Sequence, residues 1–118
     1  MKRLMTSPVL LVVAALAALV AVSPPARAQD KTPELALTAA NQAFAPAELK
    51  VKAGQPFVLV VTNNDPKKSV EIENKDLRIE KVVPAGKTVK IRVRGLKPGS
   101  YVFVDDFNQS AKFKVIAE

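Results

Sequence analysis

Polar and apolar residues alternate over much of the chain. Glu48-Leu49-Lys50-Val51-Lys52 puts Leu49 and Val51 on one face of an extended segment. Thr88-Val89-Lys90-Ile91-Arg92-Val93-Arg94 keeps the same two-residue period almost without fault. That period marks a strand with one face buried. Phe57-Val58-Leu59-Val60-Val61-Thr62 is apolar on both faces, as expected of a central strand. Shorter strands are predicted at Leu35–Thr38, Phe44–Ala47 (where Pro46 stops the ladder), Ser69–Glu73, Leu77–Val83, Tyr101–Val104 and Lys112–Ile116. Turn chemistry separates them: Ala53-Gly54-Gln55-Pro56, Asn63-Asn64-Asp65-Pro66, Pro84-Ala85-Gly86 and Gly95-Leu96-Lys97-Pro98-Gly99. No window carries a helical period. Strands spaced by roughly ten residues between Gly/Pro loops predict an all-β antiparallel sandwich or barrel.

The first 28 residues follow a different rule. Lys2 and Arg3 precede an unbroken run of Val, Leu and Ala from Val9 to Val22. Its 14 residues fall short of the about 20 that span a hydrocarbon core. Ser23-Pro24-Pro25 breaks any helix, and Ala26-Arg27-Ala28 fits the small-x-small cleavage pattern. Residues 1–28 therefore read as a secretory signal peptide, with 29–118 as one domain in the periplasm. The competing reading is an uncleaved membrane anchor. Cleavage leaves 90 residues, with 15 basic and 11 acidic side chains. The formal charge then falls from +7 to +4, a weak signal for partners.

Composition narrows the chemistry. The chain has no Cys and no His, and its two Met both lie in the leader. Disulfides, a cysteine nucleophile, a Ser/His/Asp triad and thiolate or imidazole metal sites are all excluded. Carboxylates, amines, hydroxyls and backbone remain.

Several runs together resemble a known family. Phe44-x-Pro46, Leu49-x-Val51-x-Ala53-Gly54-Gln55-Pro56 and the strand ending Thr62-Asn63-Asn64-Asp65 look like the first half of a cupredoxin. Gly95-Leu96-Lys97-Pro98-Gly99-Ser100-Tyr101-x-Phe103 looks like the approach to its ligand loop. Glu71-Ile72-Glu73-Asn74-x-Asp76-Leu77 followed by Glu80-Lys81-Val82-Val83-Pro84 is similar to the EfeO-type cupredoxin-like domain of periplasmic iron-uptake proteins. The resemblance spans about residues 34–118. It implies a Greek-key β-sandwich of seven to eight strands and a role in metal handling, with iron the implied cation. The implied partner is an inner-membrane iron permease or another periplasmic metal-transport component. The resemblance would put the first blue-copper histidine near Glu71 and the cysteine near Asp105. Neither residue type is present, and Phe107 is followed by Asn108 and Gln109 where iron-associated relatives often carry His. Type-1 copper electron transfer is ruled out by ligand chemistry.

Oxygen donors are left. Glu71, Glu73, Asp76 and Glu80 fall in one stretch, and Asp105 and Asp106 in another. Glu71 and Glu73 share a strand face. In the cupredoxin topology the two stretches meet at one end of the sandwich. Such a site would favour Fe(III), Mn(II), Ca(II) or Mg(II). If the acids converge, they must raise one another's pKa values; if they scatter beside Lys75, Arg78 and Lys81, the reverse follows. The alternative is an ordinary acidic surface, with Asp105-Asp106-Phe107-Asn108 a simple turn.

Lys90, Arg92 and Arg94 line one strand face, read either as a docking stripe for an acidic partner or as a solvated face that protects an edge. Nucleic acid is not expected, because no aromatics interleave the basic positions. The rival function is a metal-free interaction module docking on an envelope partner. No enzyme is expected, since 90 residues leave little room for a substrate cleft.

Overall fold

The computed structural model describes residues 31–118, so the leader lies outside the described residues. Among these residues there are nine strands and no helix: β1 Glu34–Ala40, β2 Ala43–Ala45, β3 Glu48–Val51, β4 Phe57–Asn63, β5 Val70–Asn74, β6 Ile79–Val83, β7 Thr88–Val93, β8 Gly99–Asp105 and β9 Asn108–Ala117. They form two sheets, ordered β2-β1-β4-β7 and β3-β9-β8-β5-β6. The sandwich is as expected, with nine strands in place of the expected seven to eight. Its strand direction needs correction, because β1 pairs with β4 and β3 with β9 in parallel. Between β1 and β4 the chain crosses to the other sheet to lay down β3, so β4 re-enters the first sheet from the same end as β1.

Alternation places the core between the sheets. Along β9, Ala111, Phe113, Val115 and Ala117 are buried while Lys112 and Lys114 stay exposed. Along β7, Ile91 and Val93 point inward and Thr88, Lys90 and Arg92 outward. Lys90 reaches Glu34 of β1 at 2.8 Å, an exposed pair that contributes little. Phe103 and Phe113 face each other across the β8–β9 ladder, stacked at 4.8 Å, and Phe44 meets Phe113 edge-on at 5.1 Å from the opposite sheet. These rings join the layers with large apolar area and favourable quadrupole geometry. Tyr101 anchors the approach to β8 by donating its hydroxyl proton to the Lys97 carbonyl at 2.7 Å.

Asn63, at the end of β4, is buried and fully paired. Its Nδ2 donates to the Lys68 and Val83 carbonyls at 2.8 and 3.1 Å, and its Oδ1 accepts from Asp65 N–H at 3.0 Å. Asp65 Oδ1 in turn accepts from Lys67 N–H and Lys68 N–H, both at 2.9 Å. These bonds hold the Asp65 carboxyl below its usual pKa and fix the loop that delivers the chain to β5.

At the opposite end, the turn after β3 and the loop before β8 touch backbone to backbone. Gly54 N–H donates to the Leu96 carbonyl at 2.9 Å, and a Cβ on Gly95 would run into the Gly54 carbonyl. Gly95→Ala is therefore expected to lower unfolding stability by about 1–3 kcal/mol, read as a reduced urea midpoint. An unchanged midpoint would contradict this packing.

Candidate metal centre

β5 sets the site. Ile72 is fully buried in the core, so its neighbours Glu71 and Glu73 emerge together on the outer face of the five-stranded sheet. Pairing with β6 puts Glu80 directly opposite Glu73, and opposite residues of an antiparallel pair share a face. On the other side, β5 pairs with the end of β8 through Ile72–Asp105 and Glu73–Val104. The chain then turns at residues 106–107 into β9. Asp106 N–H donates to the Glu71 carbonyl at 2.9 Å, which folds the turn back against β5.

One carboxylate oxygen each from Glu71, Glu73 and Asp106 lies within 4.8 Å of the others. Glu71 and Glu73 are buried at 7% and 8% exposure, whereas Asp106 is exposed. The Glu71 carboxyl is raised to about 7. The main cause is a hydrogen bond with the Glu80 carboxyl, followed by burial and then the charges of Glu80, Asp106 and Glu73. Lys75 Nζ stands 3.8 Å from Glu73 Oε1, but it is a largely exposed ammonium and screens the cluster weakly.

The six acids expected to meet are sorted by the structure. Glu71, Glu73 and Asp106 come together, and Glu80 joins through Glu71. Asp76 sits exposed in the β5–β6 turn, outside the cluster. Asp105 turns inward. Its Oδ1 accepts Glu71 N–H at 2.9 Å and Phe107 N–H at 3.0 Å, satisfying backbone where the β5–β8 ladder ends. Two-residue parity separates the neighbours. Asp105 continues the inward set of Phe103, and Asp106 falls on the other side of the turn. Asn63 was not singled out from sequence as a structural organiser. Its position immediately before Asn64-Asp65-Pro66 was the available signal.

The donor chemistry decides which cation fits. Carboxylate oxygens without thiolate or imidazole do not suit type-1 copper. They do suit a hard cation, with Glu71, Glu73 and Asp106 as the close donors and Glu80 at the margin.

Comparison with known proteins agrees with the fold. A family model, the Cupredoxin-like domain, matches residues 12–117. The chain belongs to the cupredoxin-like domain family. An uncharacterized protein of Rickettsia prowazekii (strain Madrid E) is 31% identical over 85 residues, covering 72% of this chain and 67% of that one. Among solved structures, the metal-binding domain of the Streptococcus pneumoniae Cu(I)-exporting P-type ATPase CopA superposes with a TM-score of 0.66 at 16% identity, covering 72% of this chain and 84% of the other. Reduced auracyanin from Roseiflexus castenholzii gives 0.62 at 15% identity, covering 74% and 98%. At these identities the structural likenesses establish the cupredoxin-like fold.

The Glu71 shift carries a pH signature. The folded pKa of about 7 lies above the ordinary value of 4.5, so the metal-free folded state binds more protons than the unfolded chain between these pH values. The Glu71 contribution to stability is present below about pH 4.5 and is lost as pH rises through about 7. Denaturant midpoints measured with chelator present are expected to fall across that window, and Glu71→Gln is expected to flatten the fall. A carboxyl carbon titration of Glu71 centred near 4.5 by NMR would contradict the assignment.

Proposed function

We propose that this cupredoxin-like domain is a metal-handling protein that binds a hard cation through Glu71, Glu73 and Asp106, assisted by Glu80. The observation that carries the reading is the convergence of three carboxylate oxygens within 4.8 Å. Two of these acids are withdrawn from water on a sheet face. The sheet supplies a rigid mount, so little ordering cost accompanies capture. Crowding makes the metal-free state electrostatically unfavourable, and Glu71 is left partly protonated at neutral pH. A cation displaces that proton and neutralises the remaining charge.

In this reading the domain is a binding protein and not an enzyme, and iron is the cation implied by its resemblance to iron-uptake domains. The leader pattern at residues 1–28 supports a periplasmic location, where an inner-membrane iron permease or another metal-transport component is the proposed recipient.

One observation favours a second reading as an interaction module. Phe107 is 58% exposed at the tip of the turn beside the acids. An exposed aromatic next to a charged rim suits a docking contact. The basic face of β7 offers less support, because Lys90 is already engaged by Glu34.

Isothermal titration with Mn(II) and with Fe(III)-citrate tests the metal reading. Saturable binding is expected to tighten from about pH 6 to about pH 8 as the Glu71 proton is released. Glu71→Gln, Glu73→Gln or Asp106→Asn should each weaken it by about tenfold or more, worth about 1.4 kcal/mol. Asp76→Asn should leave it unchanged. No saturable binding of either ion would sink the reading. Retention of an envelope partner that depends on Phe107 but not on Glu71 would then favour docking.

A further inference from the structure

A second site lies on the inner side of β5, away from the three acids. The loop end of the sandwich holds a cavity of about 250 Å³ between the sheets. Ala39 and Phe44 of the first sheet and Val70 and Ala111 of the second supply its hydrocarbon walls, and Phe107 lies on its rim. An engineered apolar cavity of about 150 Å³ accepts benzene, so this volume suits a single ring bearing a short substituent.

The lining is mixed, with Asn41, Gln42, Asn63, Ser69 and Asn108 adding polar groups to these walls. Asp105 lines the cavity and is only 4% exposed. Its Oδ1 is taken by the Glu71 and Phe107 amides, and its Oδ2 has no hydrogen-bond partner among the described residues. No described side-chain oxygen is both sealed from solvent and unpaired, so Oδ2 keeps some accessible surface, and Asp105 is among the residues lining the cavity. A carboxylate that deeply withdrawn from water favours a charged hydrogen-bond donor.

Charge and donor count select the class of ligand. Asp65 and Asp105 line the cavity against Lys68 alone, which favours a cation. Asp65 Oδ1 is already occupied by two backbone amides. Fewer carboxylate oxygens are free here than at the outer cluster, since Asp65 Oδ1 and Asp105 Oδ1 each already accept two backbone amides. An ammonium needs one strong acceptor and tolerates hydrocarbon around its carbon body. An aromatic ring at the rim adds a favourable face for a cation.

We infer that the cavity between the sheets binds a small organic ammonium with an apolar body, and that Asp105 Oδ2 is its counter-ion. The ligand's ring lies against Phe44, Val70 and Ala111, and its nitrogen meets Asp105. This site does not use the outer acids, so it stands or falls apart from the metal reading.

Amide NMR titrations of the full chain with benzylamine and with benzyl alcohol test it. The two probes share a ring and differ in charge. Benzylamine is expected to saturate at about millimolar concentration, with shifts at Ala39, Val70 and Ala111. Benzyl alcohol should bind at least about tenfold more weakly. Asp105→Asn should bring benzylamine down to the level of the alcohol, and Ala111→Leu should fill the cavity and abolish both. Equal affinity for the two probes, shifts confined to the outer sheet face, or no saturation would each overturn the inference. The comparison of probes on the unaltered protein decides the matter even where a variant fails to fold.

Discussion

Like charges held at short range on a sheet face are the constraint around which this molecule is arranged. Glu71 and Glu73 cannot move apart, because the strand pleat fixes them on one side of β5 while Ile72 anchors the other side in the core. The β5–β6 register brings Glu80 alongside, and the tight β8–β9 turn brings Asp106. Lys75 is too exposed to balance four acids. This crowding, with the hydrogen bond to Glu80 as its largest part, pushes the Glu71 carboxyl up to about 7.

The rest of the sandwich fixes that geometry. The stacked Phe103–Phe113 pair lies beneath the two strands that end in the β8–β9 turn. Asn63 and Asp65 lock the loop leading into β5. Asp105 closes the ladder where β5 and β8 part. Neighbouring acids thus have opposite tasks: Asp105 satisfies backbone on the inside, and Asp106 offers its oxygen outside.

Much of this was legible in the residues. Each of the nine strands overlaps a segment picked out by alternation or by its turn residues, since burial of one face imposes a period of two. Strand direction was not legible. The pattern on β1 and β4 states which face is buried and is silent on whether neighbours run parallel. The acidic stretch put Glu71 and Glu73 on one strand face, and these two come together with Asp106. Asp76 and Asp105 do not, because a turn residue and an inward-facing residue obey local geometry that a count of acids ignores. The cavity between the sheets was not visible at all, since it arises where small residues such as Ala39 and Ala111 face each other across the layers.

The fold is shared with copper proteins, yet the chemistry of the site is not. A scaffold positions side chains, and the side chains decide the ligand. With oxygen as the sole side-chain donor at the outer cluster, the account predicts a hard cation at one place on the sheet. Crystals soaked in Mn(II) and measured at the manganese absorption edge test this directly. One strong anomalous peak is expected within about 2.5 Å of Glu71, Glu73 and Asp106 oxygens. A peak elsewhere on the surface, or none in crystals that diffract well, would contradict it.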